Sequence, residues 1–153
     1  VGVGEYPNTS VRWPGSFGSA YLYFTVPKVI LFREEHSPRV FVDKVDFISA
    51  PGTSEPNVYR KGGPYALLTG LGLFMFEPEN ARFRLVHMHP GHTLAEIQAA
   101  TGFRFEIDPQ LSVTPAPDEA TLALLRGRVL DELGETYPDF AQQLTKEITA
   151  HAE

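Results

Sequence analysis

A glycine-containing loop near the start of the chain has the residue types and spacing best suited to chemistry. It reads Pro14-Gly-Ser-Phe-Gly18-Ser. Glycine lets backbone N–H groups turn toward a ligand and lets the ligand come close, so such a loop can donate hydrogen bonds to an oxyanion. A tight turn between two strands would use the same residues. The loop alone therefore leaves two interpretations open, an oxyanion site and a plain turn.

Three histidines, His87, His89 and His92, lie close together in the sequence. Residues 87 and 89 would point the same way in an extended strand, so a metal pair is geometrically possible. The same face carries apolar residues, and a proline and a glycine after His89 indicate a turn. Because spacing without a third and fourth ligand is weak evidence, we expect no metal site.

Other catalytic signatures are mostly absent. Gly2-Val-Gly4 begins a dinucleotide fingerprint, but Pro7 stands where the third glycine belongs. The chain has no cysteine, which excludes disulfides, thiolate nucleophiles and cysteine-ligated zinc. Any covalent chemistry must use oxygen or nitrogen. A cysteine-free composition fits a reducing compartment, and we expect a cytoplasmic location.

The composition is that of one globular domain with a real core. The chain has 153 residues, of which 42% are hydrophobic and 21% charged. No apolar run approaches the roughly 20 residues that span a bilayer, so no membrane partner is expected. The formal net charge of −6 argues against nucleic acid, whose binding needs basic side chains. Residues 1–61 carry +1 and residues 62–153 carry −7, so an anionic ligand suits the N-terminal part better.

Hydrophobic periodicity predicts strands followed by helices. The predicted strands are residues 28–33, 40–48, 71–76, 82–87 and 103–107, and residues 71–76 and 82–87 form a hairpin. A capping box at Thr93 and Glu96 begins a helix that ends at Gly102. Asp118 caps a second helix that ends at Gly134, and a last helix begins near Pro138. Residues 52–64 are a polar loop. The order predicts an α/β fold.

Separated motifs carry a resemblance to a known family. They are Gly4-Glu-Tyr-Pro, Val11-Arg-Trp-Pro-Gly-Ser-Phe-Gly18, the run from His36 to Gly52, Leu71-Gly-Leu-Phe74, His89-Pro-Gly91, Thr101-Gly-Phe103 and Val113-Thr-Pro. In this order they resemble the β subunit of family I CoA-transferases, of the glutaconate CoA-transferase type. The resemblance implies a mixed open sheet flanked by helices, the CoA-transferase (NagB/RpiA-like) fold. It covers residues 1–134, and residues 135–153 are expected to be a helical extension.

The resemblance also implies a reaction. In that family a glutamate attacks an acyl-CoA thioester and passes through an anhydride to a glutamyl-CoA thioester, from which a second carboxylic acid takes the CoA. It places the loop residues Gly15, Ser16, Phe17, Gly18 and Ser19 beside the thioester, as an oxyanion or CoA-binding loop. The glutamate belongs to an earlier segment that this sequence does not contain. The chain is therefore expected to be a C-terminal portion, inactive alone.

Partners and substrates follow from the same resemblance. It implies an α subunit in a heteromer, with acyl-CoA and a small carboxylic acid as substrates and no permanently bound cofactor. His36 and Arg39 match family positions and are expected either to contact a ligand phosphate or carboxylate or to form an exposed strand-edge pair.

One departure from the family pattern keeps other functions open. Phe17 stands where the family commonly has a further glycine and is expected to narrow or reshape the acyl pocket. A CoA-thioester hydrolase of the same fold and a non-catalytic assembly module are the alternatives.

Overall fold

The computed structural model describes residues 2–3, 7–12, 15 and 17–150. The chain divides into two compact units, Val1–Thr114 and Pro115–Glu153. The boundary predicted after residue 134 marks where the family resemblance ends. A division into compact units does not test that boundary, so it stays a prediction. No helix in the described ranges is long and apolar enough to cross a membrane.

An open, mixed sheet forms the centre of the first unit. Before it come a short antiparallel ribbon of β1 (Gly2–Val3) and β2 (Val11–Arg12), and helix α1 (Phe17–Thr25). The sheet strands, in spatial order, are β3 (Val29–Arg33), β4 (Pro64–Thr69), β5 (Gly72–Glu77), β6 (Arg82–Met88) and β7 (Glu106–Val113). The two outer pairs are parallel and the two inner pairs antiparallel. The predicted mixed α/β sheet is confirmed, with β5 as the central strand and β5–β6 as the hairpin.

The core is a row of apolar side chains that crosses the sheet. Leu31, Leu67, Phe74 and Leu85 are register partners on four successive strands, so they share one face. Ile97 of helix α2 (Leu94–Ala100) packs against this row, and Phe74, Leu85 and Ile97 have no exposed surface. Helix α2 is thereby fixed over the middle of the sheet.

The predicted capping box of α2 is confirmed. The Thr93 hydroxyl accepts a hydrogen bond from the Glu96 N–H at 3.2 Å, and the Glu96 carboxylate accepts one from the Thr93 N–H at 3.4 Å. The helix ends at the C-cap Thr101, and Gly102 follows as predicted. Gly102 donates its N–H to the Phe41 carbonyl oxygen at 2.6 Å, which joins the helix end to the segment after β3.

Thr69, at the end of β4, is the one buried polar residue of the described core and is 2% exposed. Its Oγ1 accepts hydrogen bonds from the N–H groups of Leu71 at 3.2 Å and Gly72 at 3.1 Å, which shapes the turn into β5. The same oxygen lies 2.9 Å from Nδ1 of His36. The Thr69 carbonyl oxygen lies 2.9 Å from Nε2 of His89. One residue therefore links the β4–β5 turn to two segments distant in sequence.

The strand predicted at residues 40–48 is wrong, because the chain forms no strand there. The N–H groups of Val40 and Phe41 donate to the Ser37 carbonyl oxygen at 3.0 and 2.9 Å, so the segment starts with a tight turn. Phe41 then packs against the core, while Val45 and Phe47 are exposed. The alternation of apolar and polar residues in this segment is therefore not accompanied by pairing with the sheet.

Two further strands differ from their predictions. The strand predicted at 103–107 begins only at Glu106 and extends to Val113, and Phe103 and Phe105 pack against the core ahead of it. Pro109 lies inside this edge strand, where its missing N–H is tolerated. Strand β4, which begins at Pro64 directly after the polar loop, was not predicted.

The second unit is helical from Glu119 to Ala150 except at Tyr137. It consists of α3 (Glu119–Leu124), a π-helical segment (Leu125–Val129), α4 (Leu130–Thr136) and α5 (Pro138–Ala150). Asp118 caps α3 by accepting the Thr121 N–H at 2.7 Å, as predicted. The prediction that Gly134 ends the helix is wrong, because α4 continues to Thr136. A Cβ at Gly134 would lie 3.7 Å from Ala141, so this glycine faces α5 within one helical pair.

The Thr69 hydroxyl gives a direct test of this architecture. We expect Thr69→Val to lower the free energy of unfolding by about 2–3 kcal/mol, because it leaves the N–H groups of Leu71 and Gly72 without an acceptor and removes a partner of His36. Urea unfolding of the two proteins measures the difference. Thr69→Ser keeps the hydroxyl and should cost less, about 1 kcal/mol for the lost methyl group. Equal losses in the two variants would contradict a hydrogen-bonding role.

Candidate functional site

The residues predicted as a glycine loop lie at the start of α1. Gly15 lies outside regular structure, and Ser16 lies outside the described residues. Phe17 and Ser19 belong to the first turn of a nine-residue helix, so the prediction that the segment up to residue 19 is a loop is wrong in its second half. Whether residues 15–19 bind a ligand stays a prediction.

Gly18 leaves open space at the first turn of α1. It is exposed, and a Cβ built on it would have no atom within 4 Å. The first N–H groups of an α-helix have no acceptor within the helix, and this end carries the positive pole of the helix dipole. The backbone around Gly18 is therefore accessible to a ligand and suited to one with negative charge.

The other end of α1 is fixed to the segment that precedes β4. Gly62 donates its N–H to the Phe24 carbonyl oxygen at 3.0 Å. A Cβ at Gly62 would lie 2.0 Å from the carbonyl oxygen of Val26, so only glycine allows this approach. The contact brings residues 59–61 alongside the helix.

A pocket of about 580 Å³ lies between α1, residues 49–51 and residues 59–61. Aromatic side chains and cations line much of it: Tyr21, Phe24, Tyr59, Arg60 and Lys61. Its volume is in the range that holds a small organic ligand. Tyr59, Arg60 and Lys61 were not predicted as pocket residues from the sequence, because residues 52–64 were interpreted only as a polar loop. The run Tyr59-Arg60-Lys61 was the signal that could have pointed to them.

His36 is held from both sides and does not line this pocket. Its Nε2 lies 2.8 Å from Oγ1 of Thr101, whose hydroxyl donates to the Ile97 carbonyl oxygen at 2.7 Å. Thr101 has therefore used its hydrogen, and Nε2–H of His36 is the donor to it. The Thr69 hydroxyl hydrogen has two acceptors within reach, Nδ1 of His36 at 2.9 Å and the Gly72 carbonyl oxygen at 3.1 Å, and Nδ1 is the nearer. Both ring nitrogens have protein partners, so His36 is not free to bind a ligand unless these bonds break.

This arrangement keeps His36 neutral. Its ring lies between Phe41, at 4.6 Å between centroids, and Phe74, at 5.9 Å. Burial lowers the pKa of His36 below its ordinary value of 6.5. A second ring proton would also point at the Thr69 oxygen, which already accepts two backbone N–H groups. The geometry therefore favours a structural role for His36.

Arg39 is exposed and paired with a neighbouring carboxylate. Its guanidinium donates to Glu35 at 2.7 Å, and 78% of its side chain is exposed. Hydrogen bonds from Ser37 and then Arg39 lower the pKa of Glu35. Neither Arg39 nor His36 lies in a strand, so the predicted strand-edge pair is wrong, and a ligand contact by either residue stays a prediction.

The three clustered histidines have separate partners. His87 bonds to Ser112 at 2.9 Å, His89 to Thr114 at 2.7 Å, and the His92 ring lies 3.1 Å from the Glu96 carboxylate. Within the described ranges no group of three or more His, Asp or Glu side chains could hold a metal ion.

Comparison with known proteins connects this fold to one group of enzymes. No family model matches the chain. The β subunit of the 3-oxoadipate CoA-transferase of Pseudomonas knackmussii is 32% identical over 130 residues, which are 81% of this chain and 50% of that protein. The β subunit of the glutaconate CoA-transferase of Acidaminococcus fermentans is 25% identical over 134 residues, 83% of this chain and 49% of that protein. The chain is a homologue of CoA-transferase β subunits. It spans about half the length of these curated relatives.

Two solved structures resemble the fold of this chain. IpdAB of Rhodococcus jostii RHA1, whose IpdB component is named as part of a cholesterol ring-cleaving hydrolase, has a TM-score of 0.70 and 25% identity, over 82% of this chain and 52% of that one. The decarboxylase AibA/AibB has a TM-score of 0.61 and 30% identity, over 80% of this chain and 47% of that one. The predicted resemblance to CoA-transferase β subunits and the predicted fold are confirmed.

The neutral state of His36 predicts how stability depends on pH. Because its pKa is lower in the folded protein than the ordinary 6.5, the unfolded chain binds the proton first as the pH falls. We expect the free energy of unfolding to decrease from about pH 6.5 toward pH 5, as His36 titrates in the unfolded chain. Urea unfolding at a series of pH values measures this slope.

His36→Gln should flatten that slope, whatever it does to stability at pH 7. His92→Gln, which changes a histidine paired with Glu96 on the exposed side of α2, is the matched control and should keep it. If the free energy of unfolding of His36→Gln still decreased between pH 6.5 and pH 5, a group other than His36 would cause the pH dependence.

Proposed function

We propose that this chain is part of the β subunit of a CoA-transferase that moves CoA between carboxylic acids through a glutamyl-CoA intermediate. The observation that carries the proposal is its 32% identity over 130 residues to the β subunit of such an enzyme. The nucleophilic glutamate would belong to a segment outside this sequence. A cytoplasmic location, suggested by the cysteine-free composition, completes the proposal.

The start of α1 would serve the thioester. When a carboxylate attacks a thioester, negative charge develops on the carbonyl oxygen, and backbone N–H groups aimed at that oxygen lower the barrier. The open position at Gly18 and the unpaired donors of a helix start meet this need. Residues 15–19 would then hold the carbonyl oxygen while the glutamate attacks from elsewhere.

The reaction would proceed in balanced steps. A glutamate oxygen bonds to the thioester carbonyl carbon, the C–S bond breaks, and CoA thiolate leaves an acyl-glutamyl anhydride. The thiolate then attacks the glutamyl carbonyl carbon, which yields glutamyl-CoA and frees the first acid as a carboxylate. A second carboxylate reverses these steps. Coenzyme A thioester is thus a substrate and not a resident cofactor.

An exposed apolar surface supports action within a larger assembly. Leu22 of α1 and Ile30 and Phe32 of β3 are all at least 60% exposed. β3 is also an edge strand in the described sheet, with β4 on one side only. Large exposed apolar patches mark protein interfaces. The proposed neighbours are the remainder of the β subunit and a CoA-transferase-like α subunit.

Trapping of the intermediate tests the proposal. The complete protein with its partner subunit should form a glutamyl-CoA adduct when mixed with acyl-CoA, and mass spectrometry or borohydride reduction should detect it. Release of free CoA without an adduct would contradict transfer and assign thioester hydrolysis. No adduct and no release would assign a non-catalytic assembly role.

Gly18 provides a second prediction. We expect Gly18→Ala to leave stability unchanged or raised by up to about 1 kcal/mol, because alanine is the better helix former and no atom is in the way. The same change should lower kcat/KM by about tenfold or more, because the added methyl group obstructs ligand approach to the helix start.

The matched control is Gly127→Ala. Gly127 also lies in a helical segment with no atom within 4 Å of a built Cβ, but in the other unit. It should keep normal kcat/KM. If Gly18→Ala retained full activity, the thioester would not lie at the start of α1.

A further inference from the structure

Three cations form an unusual group beside α1. Within the part of the chain that the structure describes, every cation–π pair lies around two adjoining pockets. The pairs are Lys28 over Tyr65 at 4.6 Å, Arg60 over Phe24 at 4.4 Å, and Lys61 over Tyr59 at 5.4 Å. A cation held against the face of an aromatic ring has a defined position even when it lies on the protein surface.

These cations have no anionic partner of their own. Among the described residues, no carboxylate lies within 4 Å of the charged group of Lys28, Arg60 or Lys61. An aromatic face orients a cation but does not neutralise its charge. The three therefore leave a local excess of positive charge in a chain whose formal net charge is −6. An anionic ligand would complete the group.

The two pockets surround this charge. The first is the aromatic pocket of about 580 Å³ beside α1, and the second, of about 670 Å³, is lined by Lys28 and Tyr65. Arg60 and Lys61 line both pockets, so they lie on their shared boundary. Glu55 lines only the second pocket. A ligand with negative charge is best placed at the boundary, away from this carboxylate.

The aromatic side chains indicate what else the ligand carries. Tyr21 and Tyr59 line the first pocket and are 65% and 82% exposed. Exposed rings beside cations are typical of sites that stack a nucleobase and bind its phosphates. The combination fits a phosphorylated nucleotide better than a small carboxylic acid, which has no ring to stack.

We propose that these pockets bind the nucleotide end of a CoA thioester, with adenine against Tyr21 and Tyr59 and the phosphates on Arg60 and Lys61. The proposal rests on the proposed function and adds a location to it. Gly18 and Phe24 are six residues apart in helix α1 and therefore lie about 9 Å apart along its axis. With the thioester at Gly18 and the phosphates near Phe24, the pantetheine arm runs along the helix.

Binding of free CoA tests the site without requiring catalysis. Isothermal titration calorimetry on the complete protein with its partner subunit should show CoA binding that weakens at least about tenfold when Arg60→Gln and Lys61→Gln are combined. Pantetheine, which lacks the nucleotide, should bind equally to both proteins. Lys44→Gln removes an exposed cation that lines neither pocket and should leave CoA binding unchanged.

The outcomes separate this site from the proposed function. A glutamyl-CoA adduct with unchanged CoA affinity in the double variant would overturn the site and leave the transferase intact. A weakened CoA affinity with no adduct in the wild type would support the site and contradict transfer. Equal weakening for CoA and pantetheine would also overturn the site, because the loss would not involve the nucleotide.

Discussion

The hydrogen bonding of the Thr69 hydroxyl is the constraint on which the first unit depends. One oxygen shapes the β4–β5 turn and contacts a histidine that also reaches the end of α2 through Thr101. Since the surroundings are apolar rings, each of these groups must find a partner or lose free energy on folding. The position of α2 over the sheet and the path of the chain after β3 are thus coupled through polar contacts, in addition to the apolar row around Phe74.

The strongest local signals in the sequence were reliable. The central hairpin, the capping box at Thr93 and the cap at Asp118 each depend on residues close together in the chain, and each was predicted correctly. Predictions failed where a distant segment decided the outcome. Residues 40–48 alternate like a strand, but the segment starts with a tight turn at Ser37 and Phe41 packs against the core. Gly134 resembles a helix terminator, but α4 continues beyond it to Thr136 and the chain then turns into α5.

For the candidate site, too, local sequence signals were informative and contacts between distant segments were not predicted. The glycine-rich segment and the family resemblance pointed to the start of α1 from sequence alone. His36 was a reasonable candidate by residue type, but only the three-dimensional contacts reveal that both of its nitrogens are occupied. Arg60 and Lys61 went unnoticed, because a cation in a polar loop looks the same in sequence whether it faces solvent or a pocket. Their relation to Phe24 depends on Gly62, which fixes that loop to the helix.

The open edge of β3 bears on how such a protein is made. A short apolar strand with unpaired backbone groups is a template on which other strands can add. Lys28 directly precedes the strand and Arg33 ends it, and charges in those positions slow such addition while the edge is uncovered. A neighbouring segment that pairs with this edge would occupy the unpaired backbone groups and so protect the strand during folding.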